Sequence, residues 1–153
     1  MSGALPTRKR GLTLAPHEPA ARPSSGADAK TMTKALLEIH SDIDAVAING
    51  VLVATRDGLV LCGVTRDVET DGVAAMAAAA AGLANQFTAQ AGIGGTRAVF
   101  FEGDDGQVGV FPVDADALLV VFGSRDTTMG MFNVVAKQAL SLLQNAVATG
   151  RSS

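Results

Sequence analysis

Few side chains in this 153-residue sequence could do chemistry. It contains one cysteine, Cys62, and two histidines, His17 and His40. A metal centre of histidine and cysteine ligands, or a nucleophile with an adjacent base, needs more such residues. Cys62 lies in an apolar run with no cationic residue next to it, which is typical of a buried, unreactive thiol. The sequence therefore predicts no metal site and no catalytic residue.

Two pairs of aspartates, Asp104 with Asp105 and Asp114 with Asp116, are the remaining candidates for acid–base chemistry. Both pairs lie between short apolar runs, where Asp favours turns by hydrogen bonding to the local backbone. A catalytic pair needs a cleft that perturbs its pKa, so turn formation is the expected role. The glycine-rich run 92–95 matches no phosphate-binding pattern and precedes a strand. Neither an enzyme nor a cofactor is predicted.

Charge is distributed unevenly along the chain. Residues 1–30 carry a net charge of +3 and four of the five prolines, and the remainder carries −6. This composition predicts a disordered basic tail over 1–31, a domain over 32–148 and a flexible end over 149–153. The acidic body argues against nucleic acid as a partner.

Membrane and secretion signals are also missing. The tail lacks the apolar core of a secretory signal, and no run of about 18 strongly apolar residues could span a bilayer. We therefore expect a cytoplasmic protein without a membrane span.

The hydrophobic pattern predicts the element order helix, two strands, helix, three strands, helix. Thr33 is the predicted N-cap of the first helix, Thr70 or Asp71 that of the second, and Thr127 or Thr128 that of the third. Gly92 is expected to end the second helix, and Asp57-Gly58 to form a tight hairpin turn. The predicted helices are 33–42, 71–91 and one after 128, and the predicted strands are 46–55, 59–64, 97–102, 107–113 and 117–122.

The short connections favour a five-stranded, mostly antiparallel sheet. Strands such as 118–122 are apolar on both faces, so both faces must be covered. Five strands span roughly 24 Å, whereas one helix covers about 10 Å. We expect a three-layer α+β domain in which the first and last helices cover one face. The long second helix then leaves more than half of the other face open.

The long helix carries no charged residue between Gly72 and Gly92. Its predicted core-facing stripe is Val73, Met76, Ala80, Leu83, Phe87 and Ala91. The opposite stripe consists of small, uncharged residues, whereas a solvated helix normally carries charged residues there. The residues of this stripe are Ala75, Ala78, Gly82, Asn85 and Ala89. This predicts a second protein surface, in the simplest case an identical subunit. The alternative is that the alanines only favour helix formation.

A homodimer would place two long helices side by side, and the uncharged strand 98–101 is a poor edge to leave open in water. That strand is expected to pair across the same axis. The residues predicted at the dimer interface are Met76, Ala79, Leu83, Ala98 and Phe100.

The same segments, taken in order, resemble the Roadblock family of dynein light chains and bacterial small-GTPase regulators. The resemblance covers residues 33–147 and is carried by the hairpin 51–61, the Ala-rich run 73–79, the turn and strand 102–113, and the segments 116–121 and 126–130. It implies the three-layer fold and dimerisation through the second helix and third strand. It also implies a non-catalytic regulator that docks on a small Ras-like GTPase and activates or scaffolds it.

Docking is expected on the paired long helices, with Ala75, Ala78, Gly82 and Asn85 as the candidate contacts. A different class of function is a sensory domain that binds a small ligand. That function needs a pocket between sheet and helix with a few convergent polar groups, whereas the expected interior is Val, Leu, Phe and Ala.

Overall fold

The fold is described by a computed structural model that covers residues 29–42 and 48–152. The elements are α1 (Ala29–Asp42), β1 (Ile48–Thr55), β2 (Val60–Val64), α2 (Thr70–Gln90), β3 (Val99–Gly103), β4 (Gly106–Pro112), β5 (Ala117–Ser124) and α3 (Met129–Ser152). Their order is the predicted one. The strands form one sheet in the order β2-β1-β5-β4-β3, and every neighbouring pair is antiparallel.

The sheet separates two apolar clusters, because successive residues of a strand point to opposite faces. On one face α1 and α3 pack over the sheet, with Leu36, Phe132 and Leu119 among the buried side chains. On the other face α2 packs alone, against residues that include Leu52, Leu118 and Val120. The predicted α+β class and its three layers are confirmed.

The helix limits differ from the prediction at both ends of the domain. α1 begins at Ala29, and Thr33 lies inside it with its side chain hydrogen-bonded to Cys62. The N-cap prediction at Thr33 was wrong because the preceding residues 29–32 also continue the helix. α3 runs on through residues 149–152, which had been assigned to a flexible end. The predicted tail lies outside the described residues except for 29–31, so the domain limits stay predictions.

The ends of α2 and α3 confirm two of the expected caps. Thr128 caps α3, since its hydroxyl accepts the Met131 N–H at 3.1 Å. Gly92 ends α2 with a φ of +74°. Its N–H donates to Ala89 O and the Ile93 N–H donates to Thr88 O, both at 3.0 Å. This is the Schellman arrangement, which favours glycine.

The start of α2 differs from the prediction. The N-cap residue is Glu69, whose side chain makes no capping bond. Thr70 and Asp71 already lie within the first turn of the helix, so neither is the cap. An acidic residue in the first turn, here Asp71, still stabilises the helix dipole.

Candidate protein–protein interaction site

α2 contacts the sheet through alanines rather than through its larger side chains. Ala74, Ala77 and Ala81 are buried, whereas Met76, Leu83 and Phe87 are 71%, 68% and 73% exposed. The predicted core-facing stripe was therefore wrong for Met76, Leu83 and Phe87, whereas Val73 is partly buried against the sheet. The sheet presents large side chains on this face, so a helix that packs closely on it has room only for small ones.

The large side chains form one continuous stripe beside the buried alanines. Val73, Met76, Ala80, Leu83 and Phe87 recur at helical spacing, and we call this stripe the apolar flank. Val73, Met76 and Ala80 line a groove on this side of α2. Monomeric proteins rarely leave such a contiguous apolar surface in water.

The groove lies between α2 and the strands at the β3 side of the sheet. Its volume is about 320 Å³. Every side chain that lines it is apolar: Val73, Met76, Ala77, Ala80, Phe101, Val108, Val110, Val120 and Phe122. It therefore lacks the convergent polar groups that the small-ligand alternative requires.

Strand β3 forms one edge of the sheet, and its two phenylalanines point to opposite faces. Phe100 packs edge-to-face on Phe111 and Phe132, with ring centroids 5.6 and 6.4 Å apart. Ala98 packs on the same side, against the α1/α3 cluster. Phe101 is the residue that faces α2; it lines the groove and is half-exposed.

The predicted dimer residues are thus divided between the two faces of the domain. Met76, Ala79 and Leu83 are all exposed on α2. Phe100 in β3, and Ala98 just before it, lie on the opposite face of the sheet, towards α1 and α3. Phe101 was missed because the sequence does not fix which of two adjacent phenylalanines faces α2. Phe87 was missed although it recurs with Met76 and Leu83 at helical spacing, which is the signal that could have found it.

The predicted GTPase contacts lie on the other side of α2, which we call the small-residue flank. Ala75 and Gly82 are exposed, and Ala78 is half-buried beside the β1–β2 turn. The Oδ1 of Asn85 accepts the Thr96 N–H at 3.4 Å, so Asn85 ties the loop after α2 to the helix. Of the four residues, Ala75, Gly82 and Asn85 are exposed and Ala78 is half-buried.

The remaining candidates for chemistry have structural roles. Asp114 Oδ1 accepts the backbone N–H groups of Asp116 and Ala117 at 2.8 and 2.9 Å, which is the expected turn chemistry. Asp105 pairs with Arg125 at 3.0 Å on the surface. Burial raises the pKa of the Cys62 thiol from its ordinary 9.0 to about 12. The thiol is therefore protonated, and not nucleophilic, at neutral pH.

Two features are absent from the described ranges, 29–42 and 48–152. No group of three or more His, Cys, Asp or Glu side chains there is arranged to hold a metal ion. None of the three helices is long and apolar enough to cross a membrane.

These features define a small three-layer α+β domain whose prominent surface is an apolar helix flank beside a sheet edge. A model of the Roadblock/LC7 domain matches residues 36–122. Two uncharacterized proteins of Methanocaldococcus jannaschii, MJ0310 and MJ1340, are each 32% identical to it over 108 residues, which make up 69% of this chain and 90% of theirs. The chain belongs to the Roadblock/LC7 family.

Solved structures show the same fold at lower identity. MglB of Myxococcus xanthus matches with a TM-score of 0.68 and 17% identity, over 80% of this chain and 91% of that one. The gliding protein MglB of Thermus thermophilus also has a TM-score of 0.68 at 17% identity, over 87% and 99%. A Roadblock/LC7 domain of Streptomyces avermitilis gives 0.67 at 18%, over 79% and 98%.

Proposed function

We propose that this chain homodimerises through the apolar flank of α2 and the edge of β3, and that the dimer regulates a small Ras-like GTPase without being an enzyme. The observation that carries the first half is the exposure of Met76, Leu83 and Phe87 on a single stripe. A side chain of that size loses about 1.5–3 kcal/mol of stabilisation when it is left in water rather than buried. A second protein surface that covers the stripe recovers this free energy.

The edge of β3 supports the same interface. Val99–Gly103 pairs with β4 along one side only within the described sheet. An uncovered edge presents unpaired N–H and C=O groups that invite another strand. Because Phe101 lines the groove beside α2, one partner surface can cover the strand edge and the apolar flank together.

The second half of the proposal rests on family membership and on the small-residue flank. The Roadblock resemblance implies a regulator of small GTPases, and the predicted location of the chain is the cytoplasm. Because Ala75 and Gly82 are small and uncharged, a second protein can approach this flank closely when it docks. In the proposed dimer the two flanks of α2 have separate roles: the apolar flank joins the subunits and the small-residue flank contacts the GTPase.

To test this, host lysate is passed over the immobilised full chain, once with GDP and once with a non-hydrolysable GTP analogue, and the GTPases that are retained are identified. A captured GTPase is then purified and titrated against the protein in each nucleotide state. We expect Ala75→Arg to weaken this binding at least tenfold, since it places a long charged side chain on the small-residue flank. Ala75 suits this test better than Ala78, because Ala75 is exposed whereas Ala78 is half-buried.

The matched control is Gln138→Arg, which adds the same charge at an exposed position of α3. It should bind like the unaltered protein. Equal binding by the Ala75→Arg variant would exclude the small-residue flank. Retention of no GTPase in either nucleotide state, by a protein shown to be folded, would contradict the regulatory half of the proposal.

A further inference from the structure

We propose that the side of α1 and α3 that is turned away from the sheet, which we call the outer face, docks on an anionic lipid surface. This inference goes beyond the proposed function and does not depend on it, because α2 lies on the opposite face of the sheet. It starts from the distribution of charge. Residues 43–128, which include the sheet and α2, contain eleven acidic and four basic residues. That part of the chain repels an anionic surface.

The net positive segments of the chain are α3 and the residues up to the end of α1. Residues 1–42 contain six basic and four acidic residues. α3 contains Lys137 and Arg151 and no acidic residue. These two segments together carry a net charge of +4, against −7 for the rest of the chain. An anionic surface is therefore attracted to the side of the sheet that carries α1 and α3.

α1 presents two cations and a large apolar side chain on its outer side. Lys30, Lys34 and Leu37 recur at helical spacing, and all three are exposed. Met32 and Leu36 point the other way and are buried in the cluster beneath the helix. A mixture of lysines and exposed apolar side chains on one helix side is typical of helices that lie on a lipid surface.

α3 adds further apolar side chains to the outer face. Met131, Val134 and Leu142 lie on one stripe of the helix, at positions i, i+3 and i+11. Each of these side chains is about half-exposed, and Lys137 is exposed between them in the sequence. α3 therefore combines the same two features as α1.

A lipid bilayer fits the outer face better than an acidic protein does. The groove between α1 and α3 is lined largely by polar side chains, which include Lys34 and Asn145. A partner helix needs an apolar groove for its apolar side chains, and Leu37, Met131 and Val134 lie outside this one. Apolar side chains that project singly among lysines can instead enter the boundary between lipid headgroups and acyl chains.

The test measures co-sedimentation of the full chain with lipid vesicles. One set of vesicles is an equal mixture of phosphatidylglycerol and phosphatidylcholine, and the other is phosphatidylcholine alone. We expect binding to the anionic vesicles only, and weaker binding at higher salt concentration, because salt screens the lysines. The pair Lys30→Gln and Lys34→Gln should lower the partition coefficient roughly fivefold for each charge removed.

Two single substitutions test the outer face in opposite directions. Leu37→Gln should lower the partition coefficient roughly fivefold, since the exposed half of this apolar side chain is no longer there to enter the lipid. Gln138→Arg adds a cation at an exposed position of α3 and should raise the partition coefficient roughly fivefold. A gain of binding cannot result from damage to the fold.

The matched control is the pair Arg66→Gln and Arg97→Gln. It changes the net charge by the same amount as the α1 pair, at exposed positions before and after α2. It should bind anionic vesicles like the unaltered chain. Equal losses in the two pairs would show that net charge, rather than the outer face, controls binding, and would overturn the proposal.

A tryptophan reports whether the apolar side chains enter the lipid. The chain contains no Trp, so Val134→Trp places a single fluorophore on the outer face. Its emission should shift to shorter wavelength when anionic vesicles are added. Ala89→Trp, at an exposed position of α2, should show no shift. No shift at position 134, or a shift at position 89 instead, would overturn the proposal.

The remaining failures are distinguishable. If the chain is folded by circular dichroism but does not sediment with anionic vesicles, the proposal is wrong, and an acidic protein is left as the partner of the outer face. If the combined Arg8→Gln, Lys9→Gln and Arg10→Gln variant loses binding while the α1 pair keeps it, the N-terminal segment binds lipid and the outer face does not. None of these results bears on the dimer or the GTPase, which solution mass and GTPase capture test separately.

Discussion

Glycine at position 58 satisfies two constraints at once. Its φ is +96°, and a Cβ there would lie 3.2 Å from the Cα of Ala75 on α2. The Gly58 N–H also bonds to Thr55 O at 3.0 Å, which closes the turn between β1 and β2. The Asp57-Gly58 pair was recognised as a turn from sequence. The close approach of α2 was not, because it depends on a contact between distant segments.

Replacing Gly58 by Ala should therefore lower the free energy of unfolding by about 1–3 kcal/mol, the cost of a left-handed non-glycine residue. Chemical denaturation followed by circular dichroism measures the loss. Gly130→Ala is the control, because a Cβ there meets no atom within 4 Å and the residue lies in the first turn of α3. It should leave stability unchanged or raise it by up to about 1 kcal/mol. Equal effects at both sites would contradict the close approach.

Cys62 makes the stability of the fold sensitive to alkaline pH. Its pKa is raised from 9.0 to about 12 by burial, against a smaller lowering by the Thr33 hydrogen bond. In the unfolded chain the thiol ionises near pH 9, and in the folded chain only near pH 12. The contribution of the protonated thiol to the free energy of unfolding is therefore complete below pH 9. It is lost as pH rises towards 12, by up to about 1.4 kcal/mol per pH unit.

The measurement is the slope of unfolding free energy against pH, from about 8 to about 10.5, for the unaltered chain and for Cys62→Ala. We expect a shallower decline in the variant, since it has no thiol to ionise. Identical slopes would show that the thiol ionises equally easily in the folded and unfolded chains.

At the scale of the elements, α2 is where sequence reasoning and structure differ most. The absence of charge between Gly72 and Gly92 predicted an interaction surface, but the interior was assigned to the large side chains. In a search for hydrophobic periodicity, large apolar side chains count more than alanine. A helix that packs closely on a sheet of Leu and Val, however, has room only for small side chains at the contact. Alanines at 74, 77 and 81 also recur at helical spacing, and this was the available signal. In a helix with so many other alanines, that spacing does not single out one face.

Packing of α2 predicts opposite outcomes for two Ala-to-Leu substitutions. Ala74 is fully buried between α2 and the sheet, so Ala74→Leu should overpack the layer and cost about 1–3 kcal/mol of stability. Ala89 is exposed near the end of the same helix, and Ala89→Leu should change stability by no more than about 0.5 kcal/mol. Thermal and chemical unfolding of both variants check this. A neutral Ala74→Leu would mean that α2 does not sit closely on the sheet.

At the scale of the whole molecule, the layer count was predictable and the position of the open surface was not. The width of a five-stranded sheet and the number of helices required one incompletely covered face, and the structure has α2 alone on that face. Which side of α2 stays open depends on how the helix is placed across five strands. The groove lies on the β3 side, which brings the open helix flank and the open strand edge together.

The mass of the unaltered chain in solution tests the central claim most directly. Light scattering with refractive-index detection suits a chain without Trp or Tyr. We expect a stable species of twice the 15.5 kDa chain mass at micromolar concentration, reduced to the single-chain mass in the Phe87→Ala variant. A folded monomer at every concentration would contradict the account, because Met76, Leu83 and Phe87 would then lie in water with no second copy to cover them.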